Sequence, residues 1–251
     1  MHNPKINNKF HKHQLFLEDL KLAKFVPETK IFTKKNLFSL IEKNNKIVVK
    51  PSMGSLGKGV IFITEIGLEK YELLLLNKKK YILGKTNLFT YLKNRESILI
   101  PNMIQNYLSL ATFSERPIDL RYIVQSNNFD WVVTGKYAKI AKEGYAVTNF
   151  TNGANICTVE DALKKSDIQN LKINEILNFI ETITIAASKC LSNYFPNNRI
   201  WGFDIGIDKS GDIWIIEANS APQIKGFLEL DALKPMYNTI ETYKRNYKKN
   251  T

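Results

Sequence analysis

The sequence predicts an α+β fold built mainly from antiparallel sheets. Three observations carry that prediction. The 251 residues, 44% of them hydrophobic and 24% charged, are enough for one large domain or two small ones with a buried core. Strand-like runs succeed one another through short turns, most clearly at 200–219, where Lys209-Ser-Gly-Asp212 separates two alternating stretches. Helix-like stretches are interspersed among those hairpins, a mixture typical of α+β architecture.

Taken in order, residues 13–24 space Leu15, Leu17, Leu20 and Leu22 as a helix would. Thr33 is an N-cap for a second helix over 34–43, with Leu37, Phe38 and Ile41 on its apolar face. Lys46–Lys50 and Val60–Thr64 read as strands around a glycine loop, and 70–76 with 80–84 as a hairpin. A helix over 86–95, a short strand over 97–101, and strands over 118–126 and 130–141 follow. Thr158-x-x-Asp161 is a capping box, and 170–193 a long helix. Strands over 200–208 and 213–219 precede a last helical segment.

Several function classes are set aside early. No apolar run approaches the length of a membrane span, and the first residues carry no apolar signal core, which predicts a cytoplasmic protein. Cys157 and Cys190 form no CxxC, so neither a disulfide scaffold nor a zinc ribbon is expected. His2, His11 and His13 all lie at the start, which leaves the body of the chain without a catalytic histidine; His11-x-His13 reads as a polar patch. The formal charge is +12, and the first fifty residues carry eleven Lys against Glu18, Asp19, Glu28 and Glu42. Lys dominates over Arg and accompanies Asn, the pattern of AT-rich codon usage, so a polyanionic small molecule is favoured over nucleic acid as the partner.

Gly54-Ser55-Leu56-Gly57-Lys58-Gly59 lets backbone amides approach an anion and adds a cation. It is no Walker A loop: the spacer and the hydroxyl after Lys are missing, and a strand follows instead of a helix. A glycine hairpin between strands is a phosphate-covering flap, and Lys50 ends the strand leading into it.

The hairpin at 200–219 carries the strongest signal. With Ser210-Gly211 at the turn, Asp204 stands opposite Glu217, Gly202 opposite Asn219, and Gly206 opposite Ile215, the glycines clearing space beside the acids. Asp204, Glu217 and Asn219 then share one face, while Trp201, Phe203, Ile205, Ile207, Trp214 and Ile216 form a core face. Opposed carboxylates repel unless a cation lies between them. Two acids and an amide oxygen, with no His or Cys nearby, suit Mg²⁺, or Mn²⁺ as the alternative.

With these pieces in place the sequence resembles the ATP-grasp superfamily, and within it the YheC/YheD type associated with the endospore coat. The resemblance rests on NNKFHKH (7–13), FVPETKIF (25–32), VVKPSMGSLGKGVIFI (48–63), PIDLRYIVQ (117–125), WVVTGKYAKIAKEGYAVTNFTNGA (131–154) and WGFDIGIDKSGDIWIIEANSAPQIKGF (201–227), in family order. It implies two α+β subdomains clamping ATP: a helical lead-in over about 1–32, a flap-bearing unit over about 33–104, and a unit with the metal hairpin over about 105–251. The leading domain that usually precedes the family's first motif is expected to be absent, leaving an acceptor side for a homodimer or partner protein to cover.

Carried over by residue, Lys50 contacts the inner phosphates, and Ser52, Met53, Gly54, Ser55, Leu56, Gly57, Lys58 and Gly59 cover the outer ones. Ile100, Pro101, Asn102 and Met103 are the adenine hinge. Arg121 holds the γ-phosphate or the acceptor, and Lys136 and Lys139, from one strand face, add charge. Lys139 stands where Arg is expected. Asn149 matches a family Asn, and Lys9 an upstream lysine near the α-phosphate. Asp204, Glu217 and Asn219 hold one or two Mg²⁺. The implied activity is ATP-dependent carboxylate–amine ligation through an acyl-phosphate, on a peptide or amino-acid acceptor in spore-coat formation. The alternatives are an ATP-grasp kinase and a non-catalytic nucleotide-binding coat protein.

Overall fold

A computed structural model describes residues 4–54, 57–95, 102–127, 130–145, 148, 153–169 and 172–249. Helix α1 (Lys9–Glu18) begins where the Asn8 side chain accepts from the His11 backbone N–H at 3.0 Å. It starts before the helix expected over 13–24 and stops at Asp19, leaving Leu20 95% exposed. Strand β1 (Thr29–Ile31) leads to α2 (Lys34–Asn44), where Thr33 caps the Asn36 N–H as expected. Strands β2 (Lys46–Pro51), β3 (Ile61–Gly67), β4 (Lys70–Leu75) and β5 (Lys78–Leu83) precede α3 (Lys85–Lys93) and β6 (Asn102–Asn106). These six strands form one antiparallel sheet in the order β1-β6-β2-β3-β4-β5. Helices α2 and α3 bury Leu37, Leu40, Ile41, Leu88 and Leu92 against Ile47, Ile63, Tyr71 and Leu73. The strand expected over 97–101 falls outside the described residues, and β6 follows it.

The second sheet comprises β7 (Thr112–Phe113), β8 (Arg116–Ser126), β9 (Trp131–Ile140), β10 (Asn155–Cys157), β11 (Ile200–Ile207) and β12 (Ile213–Asn219). Its order is β10-β9-β8-β11-β12, with β7 on β8, and all its pairings are antiparallel. On one face, α4 (Val159–Lys164, capped by Thr158), α5 (Ile173–Ser192) and α1 share a large core with Leu120, Tyr122, Val124, Trp201 and Phe203. On the other face, α6 (Lys234–Lys249) and the preceding turns bury Phe227, Leu233 and Ile240 against Ile123 and Tyr137. The lead-in over 1–32 is thus shared: Leu15 and Phe16 of α1 belong to the second core, while β1 extends the first sheet.

The β11–β12 hairpin departs from strict alternation at one point. Asp204 pairs with Glu217 and Gly202 with Asn219, but past a β-bulge Ile205 pairs with Ile215 and Gly206 with Trp214, not with Ile215. Ile216 is the extra residue, so it and Glu217 both face the space between the sheets. Ile213 and Ile215, not Trp214 and Ile216, therefore enter the core. The glycines do not stand beside open space either. A Cβ at Gly202 would collide with Pro222, and one at Gly206 with Leu110. Among the described residues, no helix is long and apolar enough to cross a membrane.

Candidate active site

A cleft of about 350 Å³ opens between the sheets, within the range of small-molecule sites. Lys50 and Val48 of β2 and Gly57, Val60 and Phe62 from the flap and β3 line one side. Gln105, Asn106, Tyr107 and Leu108 form the connecting wall. Asp119 and Arg121 of β8, Tyr137 and Lys139 of β9, Asp204 of β11 and Glu217 and Asn219 of β12 line the other, with Lys9 of α1 at the seam.

The second sheet places these groups by register: Arg121 lies beside Asp204 and opposite Tyr137, and Asp119 opposite Lys139. Arg121 donates through Nε to Asp204 Oδ1 at 2.9 Å and through Nη2 to Oδ2 at 3.1 Å. Lys139 Nζ reaches the same Oδ1 at 2.8 Å and Asp119 Oδ1 at 2.9 Å. The Thr148 hydroxyl donates to the other Asp119 oxygen. Burial opposes ionisation of Asp204, but the Arg121 and Lys139 charges outweigh it and hold the carboxyl down at about 2. For Asp119 burial prevails over Lys139 and lifts the carboxyl to about 6. Lys9 Nζ pairs with Glu217 Oε2 at 3.2 Å.

Lys50, 7% exposed, donates to Gln105 Oε1 at 2.9 Å, and burial pulls its ammonium down to about 8 against the attraction of Glu217. The polar patch expected of His11 and His13 is overturned for His13, which is 1% exposed and bonded to Gln105. Its partner comes from a strand far away in sequence, so spacing could not reveal the contact.

Other expected residues scatter. Lys136 and Lys139 do not share a face: the β8–β9 register runs unbroken from Ile123↔Gly135 to Ile118↔Ile140, so positions three apart point oppositely. Lys136 instead meets Glu181 at 3.1 Å and Glu160 at 3.5 Å on the helical side. Asn102 and Met103 lie inside β6 and do not line the cleft; the wall the hinge was expected to form begins further on, at Gln105. Ser52 is buried with an unpartnered hydroxyl oxygen. Met53, Gly54, exposed Lys58 and Gly59 stay off the cleft lining, which takes Gly57 from the loop. Ser55, Leu56, Ile100, Pro101 and Asn149 lie outside the described residues. Sequence reasoning gave no role to Asp119, Gln105 or Thr148, and β6, with Asn102, Gln105 and Asn106 among its five residues, offers no pattern that marks Gln105.

The cleft suits a phosphate-bearing ligand held with a hard cation. Lys9, Lys50, Arg121 and Lys139 converge on it, and Asn106 keeps a buried, unpartnered amide oxygen on the connecting wall. Among the described residues no three His, Cys, Asp or Glu side chains cluster as a metal site. The available set is two carboxylates and an amide in cross-strand register, the hard oxygen donors Mg²⁺ takes alongside ligand phosphates. The Lys9 and Lys139 ammoniums now neutralise those carboxylates, as a cation would.

Comparisons with known proteins agree with this architecture. Among solved structures, the chain is similar to N5-carboxyaminoimidazole synthase from Aspergillus clavatus, in complex with ADP and an aminoimidazole ribonucleotide, with TM-score 0.56, 12% identity, 94% of this chain and 51% of that one covered. It is also similar to an L-amino acid ligase from Bacillus licheniformis, with TM-score 0.51, 14% identity, and 86% and 40% covered. These likenesses show the fold. Two Bacillus subtilis (strain 168) proteins are related in sequence: endospore coat-associated protein YheD, 27% identical over 86% of this chain and 48% of YheD, and YheC, 24% identical over 82% and 57%. The chain thus spans about half the length of the curated relatives it matches. The YheC/D-like ATP-grasp family matches residues 1–246, and the chain belongs to that family.

Proposed function

We propose that this chain is an ATP-dependent carboxylate–amine ligase. One observation carries the reading: four cations from both sheets and α1 converge on a cleft beside the Asp204–Glu217 pair. Phosphoryl transfer needs positioning and charge neutralisation more than a protein nucleophile, and those are the parts this cleft holds.

In the proposed reaction a substrate carboxylate oxygen attacks the γ-phosphorus of ATP, the β–γ bridging P–O bond breaks, and ADP leaves. An amine then attacks the acyl carbon of the resulting acyl phosphate. The C–O bond breaks, inorganic phosphate departs, and the amine gives up a proton. Lys50 and Lys9 orient the phosphates, Arg121 and Lys139 steady the transferring group and the acceptor, and Gly57 of the flap limits water. Asp204, Glu217 and Asn219 would hold Mg²⁺, which when bound neutralises charge on the phosphates. The proposed acceptor is a peptide or amino acid and the proposed location is cytoplasmic; the coat association of the two relatives supports a role in spore-coat formation.

The test is ADP release, measured across a matrix of carboxylates and amines with Mg²⁺-ATP. Release that needs both partners supports ligation. Release with a carboxylate or hydroxyl compound alone identifies the kinase alternative, and none in any combination supports the non-catalytic one.

A further inference from the structure

The buried bonds around Gln105 leave only one orientation for its amide. The Thr29 hydroxyl donates to the Pro27 carbonyl at 2.8 Å, so its oxygen is left to accept, and Gln105 Nε2 donates to it at 2.8 Å. His13 Nδ1 lies 3.0 Å from the Lys9 carbonyl, which can only accept, so Nδ1 carries the ring proton and Nε2 is an acceptor. Gln105 Nε2 donates there too, at 3.2 Å. Both amide hydrogens are thereby committed, and Oε1 is turned toward the Lys50 ammonium at 2.9 Å. A flipped amide would set two donors face to face at Lys50 and two acceptors face to face at both His13 and Thr29.

The network also joins the two halves of the molecule. Thr29, Lys50 and Gln105 belong to the first sheet, whereas α1, which carries His13, packs in the second core. The same helix donates its Lys9 backbone N–H to the Ser52 carbonyl at 2.7 Å, at the base of the flap.

We infer that Gln105, locked in one amide orientation by His13 and Thr29, is the positioning residue that aims the Lys50 ammonium into the cleft. Gln105 acts through Lys50. Its use in catalysis rests on the nucleotide reading above, but the geometry does not. The titratable and charged groups facing Lys50 are Glu217 of β12, Lys9 and His13 of α1, and Asp204 of β11, and neutral Gln105 is the hydrogen-bond acceptor the structure assigns to it.

The test is acetic-anhydride labelling of Lys50 across pH in the nucleotide-free protein, read by mass spectrometry, for wild type, Gln105→Leu and Gln105→Glu. Gln105→Leu removes the acceptor, so the labelling midpoint should fall by about one pH unit; Gln105→Glu supplies a charged acceptor, so it should rise. Opposite shifts are a signature that loosened packing would not give. Midpoints that coincide with wild type, or move together, overturn the inference. If Gln105→Leu does not fold by circular dichroism, Gln105→Glu decides alone, with an upward shift for the inference and no shift against it. Calorimetry with Mg²⁺-ATP runs in parallel, and Gln105→Leu should bind about tenfold more weakly than wild type. Wild-type protein that takes up no Mg²⁺-ATP while the midpoints still diverge would retire the nucleotide reading and leave the positioning role standing.

Discussion

Asp204 and Glu217 face each other across β11 and β12, yet each is compensated by different cations. Asp204 is held by Arg121 and Lys139, and Glu217 by Lys9. Repulsion between two opposed carboxylates, the expectation from the sequence, is thereby offset by the protein's own cations.

The two acids should consequently differ in what they do for stability. Asp204→Asn leaves Arg121 and Lys139 facing a neutral amide, and removing one partner of a buried charge cluster costs about 3 kcal/mol. Glu217→Gln unpairs one lysine where Asp204→Asn strands two cations, and should cost about 1 kcal/mol. Both should lower Mg²⁺-dependent ADP release by at least tenfold on the scale of metal assistance. Urea melts of the two variants, with rates, check this. Equal stability losses would show that the cation assignments do not matter, and normal rates would remove both acids from the site.

Mg²⁺-ATP should stabilise the protein by mass action, by about 2.7 kcal/mol at a hundred times its dissociation constant. Thermal shift with ATP, with Mg²⁺, and with both together reads the effect. The combination should exceed the sum of the parts, because the carboxylates and the ligand phosphates share the cation. No shift at millimolar ligand would contradict the proposed function.

His13 gives a pH dependence of defined sign. Burial, then the Lys50 charge, hold its ring down to about 3, whereas an unfolded histidine takes a proton near 6.5. Between those values the unfolded chain binds more protons, so stability falls as pH falls, by at most about 1.4 kcal/mol per unit. Asp119, lifted to about 6 from its ordinary 3.8, works in the other direction between those two values. His13→Gln isolates the histidine: between pH 7 and pH 4.5 it should lose less stability than wild type in urea melts. Parallel losses would show that His13 is protonated in the folded protein.

Gly202→Ala tests the close approach of the loop after β12. The added Cβ would collide with Pro222, which lines the cleft. Overpacking of this kind costs about 1–3 kcal/mol, and the displaced loop should weaken substrate use more than nucleotide binding. An alanine variant with wild-type melting would mean that the loop yields freely.

What the sequence disclosed follows from how local each feature is. Thr33 and Thr158 cap the helices they were expected to cap because a cap depends on three neighbouring residues. The count from the turn missed by one from its first pair, Ile207 with Ile213 and not Trp214, and the bulge at Ile216, which has no compositional mark, restored it, so Asp204 meets Glu217 as expected for a reason the count did not contain. Lys136 and Lys139 could share a face only across a bulge, and the bulge of this strand pair lies elsewhere, between Ile123 and Val124. Gln105 and His13 were unreadable as a pair because nothing in either segment names the other. Of the expected hinge, Asn102 and Met103 fall within β6, a placement that depends on pairing with strands far away in the sequence.

The place of α1 in the chain has a consequence for the order of assembly. Asn7 and Ser220 meet through a 3.0 Å hydrogen bond at a separation of 213 residues, and Lys9 meets Glu217 nearby. A ribosome has released the first of these partners long before it adds the second. Each sheet can gather its own core from more local contacts, but the seam between them must await the last hairpin, and contacts this distant in sequence close slowly. Pulsed hydrogen exchange during refolding should therefore protect β2 and β3 amides before the α1 amides, whereas early protection of α1 would show that the helix docks before its partners exist.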